Sequence, residues 1–313
     1  MNICALHYIF LLTNVHNNKK TVVCSVNNGR LSIWIVYALL CALFLAIGDA
    51  LVKNAPAMHP ATIAAGRVFF SLPVLWAIAL VNGIPAINGD IIYALLLSPP
   101  LEVVALVLYM RALQISPMYR TLPFLAFTPL LLIITSWVLL HERASLSGII
   151  GIVCVVLGTY SLYFQRGQSL LVPLKTVFHD KGSLMMLIVA FLYSITANFG
   201  KMGVMYSSPS FFGAIYFTIM VIILGIWCAC ADSIKNIFTK NIVVIGLTQG
   251  IMITFHMLAV AIAPVSYMVA VKRSSMLIGI LFGSIFFGEK NLLQHGIAAL
   301  IILTGIGIIS IAG

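Results

Sequence analysis

The sequence predicts an all-α membrane protein, with ten transmembrane helices arranged as two inverted five-helix repeats. Three observations carry that expectation. Of 313 residues, 62% are hydrophobic and 8% charged, against about 45–50% and 25% in a soluble domain. There is too little polar surface here to cover a water-soluble fold. The apolar residues fall in runs of about the 20 residues that a bilayer-crossing helix needs. The second five runs then repeat the first in register.

Composition excludes other classes. Six Cys are sparse, and Cys41, Cys154, Cys228 and Cys230 lie in apolar runs, so no secreted disulfide scaffold is expected. The formal charge of +10 comes from 17 Lys+Arg against 7 Asp+Glu. These basic residues are scattered rather than gathered on one patch, so no nucleic-acid partner is expected. Part of the excess serves loops near anionic headgroups.

Residues 1–31 read as a cytoplasmic extension. Their apolar stretch, Ile3 to Leu12, is too short to span, and the charges follow it, opposite to a signal peptide. Ten candidate spans follow at 32–53, 61–82, 90–115, 117–140, 144–164, 183–205, 208–231, 241–262, 264–287 and 292–312. Pro56, Pro60, Pro85, Pro117, Pro209 and Pro264 mark the short connections. The longest connection, 165–182, divides a first repeat at 32–164 from a second at 183–313.

A shift of 147 residues, the distance from Pro117 to Pro264, also carries Glu142 onto Glu289, Arg143 onto Lys290 and Gly158 onto Gly305. Met110-x-Ala112 falls on Met257-x-Ala259, and a shift of 148 places Lys53 on Lys201. Each repeat has an odd number of spans, so the copies lie in opposite orientations. Inverted repeats place a substrate site near the midplane, between the copies. A transporter is therefore favoured over a receptor or scaffold.

These features resemble the EamA-type drug/metabolite transporter superfamily. The resemblance rests on Leu140-His-Glu-Arg143 followed by Gly148 and Gly158, and on Gly288-Glu-Lys290 followed by Gly296 and Gly305. It covers residues 32–312. It implies transport of a small molecule, among them amino acids, drugs, nucleotide sugars and sugar phosphates, and cytoplasmic termini. Val271-Lys272-Arg273-Ser274-Ser275 on the ninth span also resembles the Lys-Arg pair of plastid sugar-phosphate translocators. That likeness implies that Lys272 and Arg273 bind phosphate.

Ionisable residues inside spans are costly and face cavities or partners. Lys272 and Arg273 lie too deep to snorkel, and their images in span four are Leu125 and Ala126, so the scaffold itself does not require them. They read as an anion site, or as structural partners of Glu102 or Asp49. Glu102 maps onto Gln249 and Tyr109 onto His256. Each pair stands i, i+7 on one helical face, giving matched polar stripes that suit a central cavity or buried helix–helix bonding. Pro99-Pro100 should break span three and leave Glu102 in the first turn of a half-helix. Asp49 and Lys53 stand i, i+4, a favourable intrahelical pair; Asp49 also suits a proton or substrate contact. Ser194, Asn198 and Lys201 share a face of span six, and Asn198 joins the substrate-site candidates. Lys53 and Lys201 read as headgroup anchors, and Arg67 and Arg111 as interfacial or structural.

Other features read as structural. Glu142 and Glu289 abut helix starts and suit capping. Gly246-x3-Gly250 and Gly279-x3-Gly283 suit close helix approach. Cys228-Ala-Cys230 lacks metal-site spacing, no P-loop is present, and no catalytic constellation stands out. Neither a cofactor nor a metal is expected, nor enzyme activity. The expectation is a secondary active transporter working by alternating access around spans one, three, four, six, eight and nine. Its substrate would be a small organic anion, phosphorylated or not, moved with protons or against a counter-substrate. The alternatives are an exporter of amino acids or cations acting through Glu102 or Asp49, and a lipid flippase or membrane-embedded enzyme. A bacterial inner membrane, cytoplasmic termini and a monomer or weak homodimer complete the reading.

Overall fold

The computed structural model describes residues 28–53, 60–87, 89, 91–116, 121–162, 180–230, 237–287 and 292–312. Among these residues there is no strand. Span one is Asn28–Lys53, span three Ile91–Ile115, span five Leu146–Leu162, span six Lys181–Met205, span seven Pro209–Cys230, span eight Lys240–Ile262 and span ten Leu292–Ala312. Spans two, four and nine are interrupted. Among the described residues, seven helical stretches are long and apolar enough to cross a membrane. Large side chains such as Val81, Leu96, Leu146, Leu300 and Ile311 stand exposed on the outside, as lipid contact requires.

Each interruption has a local cause or a symmetric counterpart. Span two runs Pro60–Phe69 and then Leu72–Asn82. Pro73 has no N–H, and its ring would meet the carbonyl of Phe69, so the helix stops and restarts. Span four begins as a 3-10 segment, Leu122–Phe127, and becomes α-helical over Thr128–Leu140. Pro129 cannot bond the carbonyl of Leu125, and the Thr128 hydroxyl donates to it instead, at 2.8 Å. Span nine runs Val265–Lys272 and then Ser275–Phe287. Between them Arg273 N bonds Ala270 O at 3.1 Å and Ser274 N bonds Val271 O at 3.0 Å, tight turns in place of the α pattern. The 147-residue shift carries this break onto Leu125–Phe127, so both halves are interrupted at equivalent points.

Span three departs from expectation. It is one helix through Pro99 and Pro100, so Glu102 sits in mid-helix. The two prolines remove two N–H donors and crowd the carbonyls four residues back, but they keep a helical φ. Packing along span six holds the rest in line, as neighbouring helices do for prolines in membranes.

The packing shows how the halves are related. Span one lies along span eight and span three along span six, two pairings that exchange when the halves are swapped. Spans two and seven, four and nine, and five and ten each pair with their own image. Glycines bring five and ten into backbone contact. A Cβ on Gly158 would lie 3.1 Å from Ala298 O, and one on Gly305 would lie 2.7 Å from Gly151 O. The shift carries Gly158 to Gly305 and Gly151 to Ala298, so these are one contact seen from each half. Gly151 faces Gly305 and Ile309 while Gly158 faces Ala298 and Ile302, so the two helices are antiparallel. A two-fold axis along the membrane normal would make them parallel. The repeats are therefore inverted, related by an axis in the membrane plane.

Candidate functional site

The break in span nine positions the two interior cations. Lys272 ends the first half-helix, where the carbonyl end of the dipole favours a cation, and the second half-helix starts three residues on. Arg273 reaches across to span four, where Nη2 donates to Thr128 Oγ1 at 2.9 Å. The same hydroxyl that replaces the proline-blocked bond thus accepts from the arginine. Lys272 makes no hydrogen bond or ion pair among the described residues and keeps part of its surface accessible. Next along the chain, Ser274 is buried with its hydroxyl unpartnered among the described residues.

Glu102 stands on span three. The Thr196 hydroxyl of span six lies beside it, and the charge of Lys272 acts on it. One turn earlier, Ser98 meets Tyr216 Oη of span seven at 3.1 Å and donates to Thr196 O at 3.4 Å. The charge of Lys272 also acts on His256 of span eight and Cys41 of span one. The Nδ1 atom of His256 is buried and unpartnered among the described residues. Tyr193 of span six feels the charges of Glu102, Arg273 and Arg67, and Tyr109 those of Asp49, Arg67 and Arg273. Spans one, three, six, seven, eight and nine thus bring polar groups to one interior region.

A second cluster is already paired. Arg67 Nε donates to Gln249 Oε1 at 2.7 Å, and Arg67 Nη1 donates to Asp49 Oδ1 at 3.1 Å. Asp49 therefore turns to span two; the side chain of Lys53, its expected partner, lies outside the described residues. Arg67, read as interfacial or structural, ties span two to spans one and eight, and Arg111 is exposed.

A third group bolts one end of the bundle, and it corrects the anchor reading of Lys201. His141 closes span four in a left-handed turn (φ 55°). Glu142 then forms an ion pair with Lys201 and accepts from Val265 N at 3.1 Å. Lys201 also donates to Ala263 O at 2.7 Å and is 7% exposed, so it holds four elements together rather than reaching for headgroups. Glu142 does cap a helix, but that of span nine. Tyr267 packs over Gly148 and accepts from Ser145 N at 2.9 Å, extending the bolt. Glu289 and Lys290, at the equivalent place in the second half, lie outside the described residues.

Asn198 is fully buried, giving its amide to Thr135 Oγ1 at 3.0 Å and Ser194 O at 2.7 Å. Gly246 and Gly250 meet span two closely, at Gly66 O and Ser71 O, whereas a Cβ on Gly279 would meet nothing within 4 Å among the described residues. Among the described residues no group of His, Cys, Asp and Glu could hold a metal; the side chains of Cys228 and Cys230 lie outside them. Thr128, Tyr193, Thr196, Tyr216 and Ser274 enter the site without a signal in the helical periodicity. The Thr128-Pro129 dipeptide is the one local cue.

The EamA-like transporter family model matches twice, over residues 32–164 and 180–311. The chain belongs to the EamA-like transporter family. It is accordingly a multi-pass membrane protein that transports small molecules, and its family are transporters rather than enzymes. Among solved structures, a chain described only as "Crystal structure of protein" is similar over 90% of this chain and 98% of its own, with a TM-score of 0.71 and 14% identity. That likeness is one of fold. No curated protein matches in sequence. In this EamA-like chain the two family repeats coincide with the antiparallel halves, and the polar region lies between them.

Proposed function

We propose that this EamA-like protein is a secondary active transporter of a small organic anion, working by alternating access, with Lys272 as the principal anion contact. The carrying observation is the break in span nine. It leaves Lys272 accessible and unpaired among the described residues, next to the start of a half-helix and a hydroxyl without a partner. Half-helix ends at the midplane serve this purpose in inverted-repeat transporters, and helix N-termini favour anions. A carboxylate or phosphate fits, and the local likeness to sugar-phosphate translocators supports the phosphate. Arg273, tied to Thr128, positions the break. Tyr109, Gln249, His256 and Asn198 line or support the path, with protons or a counter-substrate driving it. We place the protein in a bacterial inner membrane, monomeric or weakly dimeric, with both termini cytoplasmic.

The second reading, amino-acid or cation export through an acidic residue, loses Asp49 because Arg67 occupies it. It keeps Glu102. Uptake of labelled organic phosphates and carboxylates into proteoliposomes decides. Lys272→Gln should lower apparent affinity roughly 30- to 150-fold, the loss of one charge-assisted contact. Unchanged uptake at matched protein levels would reject the anion reading.

A further inference from the structure

We propose that Arg67 is a second anion contact, an outer station where a small oxyanion displaces the Asp49 carboxylate on its way to Lys272. The route rests on the anion reading above, while the station itself can be tested without Lys272. Arg67 is held by one bond and lends another. Its Nε donates to Gln249 Oε1 at 2.7 Å, which fixes the guanidinium against span eight. Its Nη1 donates to Asp49 Oδ1 at 3.1 Å, where the acid is 60% exposed and the arginine 22%. Nη2 has no hydrogen-bond partner among the described residues. Gly48 leaves it uncrowded, since a Cβ there would stand 3.5 Å away. The Asp49 carboxylate makes no other hydrogen bond or ion pair among the described residues. An exposed ion pair contributes little, so Asp49 can swing away while Gln249 keeps the guanidinium in place. The two Nη groups then form a free fork that suits a carboxylate or a phosphate. The opposite exchange fails, because a cation arriving at Asp49 would meet the tethered Arg67.

Helix geometry places this station on the side of Lys272 away from the bolt. Span eight ends at Ile262, next to the Ala263 carbonyl that Lys201 holds, and span nine sets out from the same end at Val265. At 1.5 Å per residue, Gln249 stands about 20 Å along span eight from that end, and Lys272 about 10 Å along span nine. The bolted end is closed, with Val265, Tyr267 and Lys201 all buried. Arg67, tied to Gln249, is therefore about 10 Å farther from the closed end than Lys272 is. At that level the Asp49 carboxylate is exposed. A charged group inside a span faces water rather than lipid, so this level is wet. An anion entering from this side meets Arg67 before Lys272.

The test reads thermal stabilisation of the purified full-length protein by inorganic phosphate in a Lys272→Gln background, where the inner contact is gone. Phosphate should still stabilise this variant. Adding Asp49→Asn should lower the half-saturating concentration about two- to fivefold, the worth of one exposed ion pair that no longer competes. Adding Arg67→Gln should remove the effect, and Arg67→Lys should keep it in weaker form, without the fork. Asp49→Asn cuts only an exposed bond, so it leaves a folded protein to measure even where Arg67→Gln, which also frees Gln249, does not. A purely structural pair predicts the opposite sign, because losing Asp49 would loosen Arg67 and weaken binding. Unchanged or weaker binding on Asp49→Asn, binding that survives Arg67→Gln, or no binding to the Lys272→Gln variant overturns the station. In the last case, binding to the parent protein leaves the Lys272 reading standing. Equal binding by the parent and by Lys272→Gln, with the response to Asp49→Asn intact, upholds the station and rejects Lys272 as the principal contact.

Discussion

The two adjacent cations of span nine have different work, and substitutions should separate them. Lys272 has no protein partner among the described residues, so Lys272→Gln removes a charge without breaking a bond. Folding stability should hold or rise while transport is lost. Arg273 holds Thr128, whose hydroxyl also covers the Leu125 carbonyl that Pro129 leaves open. Thr128→Val should therefore cost about 1–3 kcal/mol, the range for leaving buried polar groups unsatisfied, and Thr128→Ser should restore it. Arg273→Lys should not substitute for the arginine, because a lysine lacks the planar fork that spans to Thr128. Thermal unfolding in detergent measures all four. Equal destabilisation by Lys272→Gln and Thr128→Val would undo the division of labour. That both cations matter is legible in the sequence, because charge deep in an apolar run has few uses. Which one is committed depends on a partner 145 residues away, and no local pattern carries it.

At the level of elements, the interiors of spans were as hard to read as their ends. Pro99 and Pro100 suggest a broken helix, but span six supports span three through them. Span nine breaks with no proline inside it, at a pair of cations followed by two serines. Lys201 looks like an anchor from its place near a span end, yet it is drawn inward by Glu142 and the Ala263 carbonyl. This bolt ties the end of span four and the start of span nine to span six. Removing one partner of a buried pair costs about 3–5 kcal/mol in a sealed interior. Glu142 is partly exposed and keeps Val265 N as a donor, so Lys201→Met should cost less. The expected outcome is modest destabilisation with altered transport rate, because the alternating access proposed above would loosen and hold this end in turn. The reversed pair, Lys201→Glu with Glu142→Lys, should recover less than half of the loss, since Val265 N needs an acceptor. Full recovery would mean that the ion pair alone matters and the cap does not.

For the whole molecule, the repeat is legible because equivalent positions were kept in register, down to the glycines of spans five and ten. The structure adds why those glycines are there. The two helices meet backbone to backbone on the symmetry axis, so each side of the contact repeats the other. A side chain at Gly158 would press on Ile302 N and Ala298 O, and one at Gly305 on Gly151 O and Val155 N. Neither wall is a flexible side chain that could swing away. Leucine at either position should separate the helices, with overpacking costs of about 1–3 kcal/mol or more. Because the two sites are images of one contact, Gly158→Leu and Gly305→Leu should destabilise by similar amounts. Gly279, also a glycine in a span, meets nothing within 4 Å, so Gly279→Ala should be neutral or stabilising by about 0.5–1 kcal/mol through the helical preference of alanine. Thermal unfolding of the three purified variants checks this. If one of the two leucine variants were as stable as the parent while the other unfolded, the contact would not be shared between the halves, and the two-fold relation at this interface would fail with it.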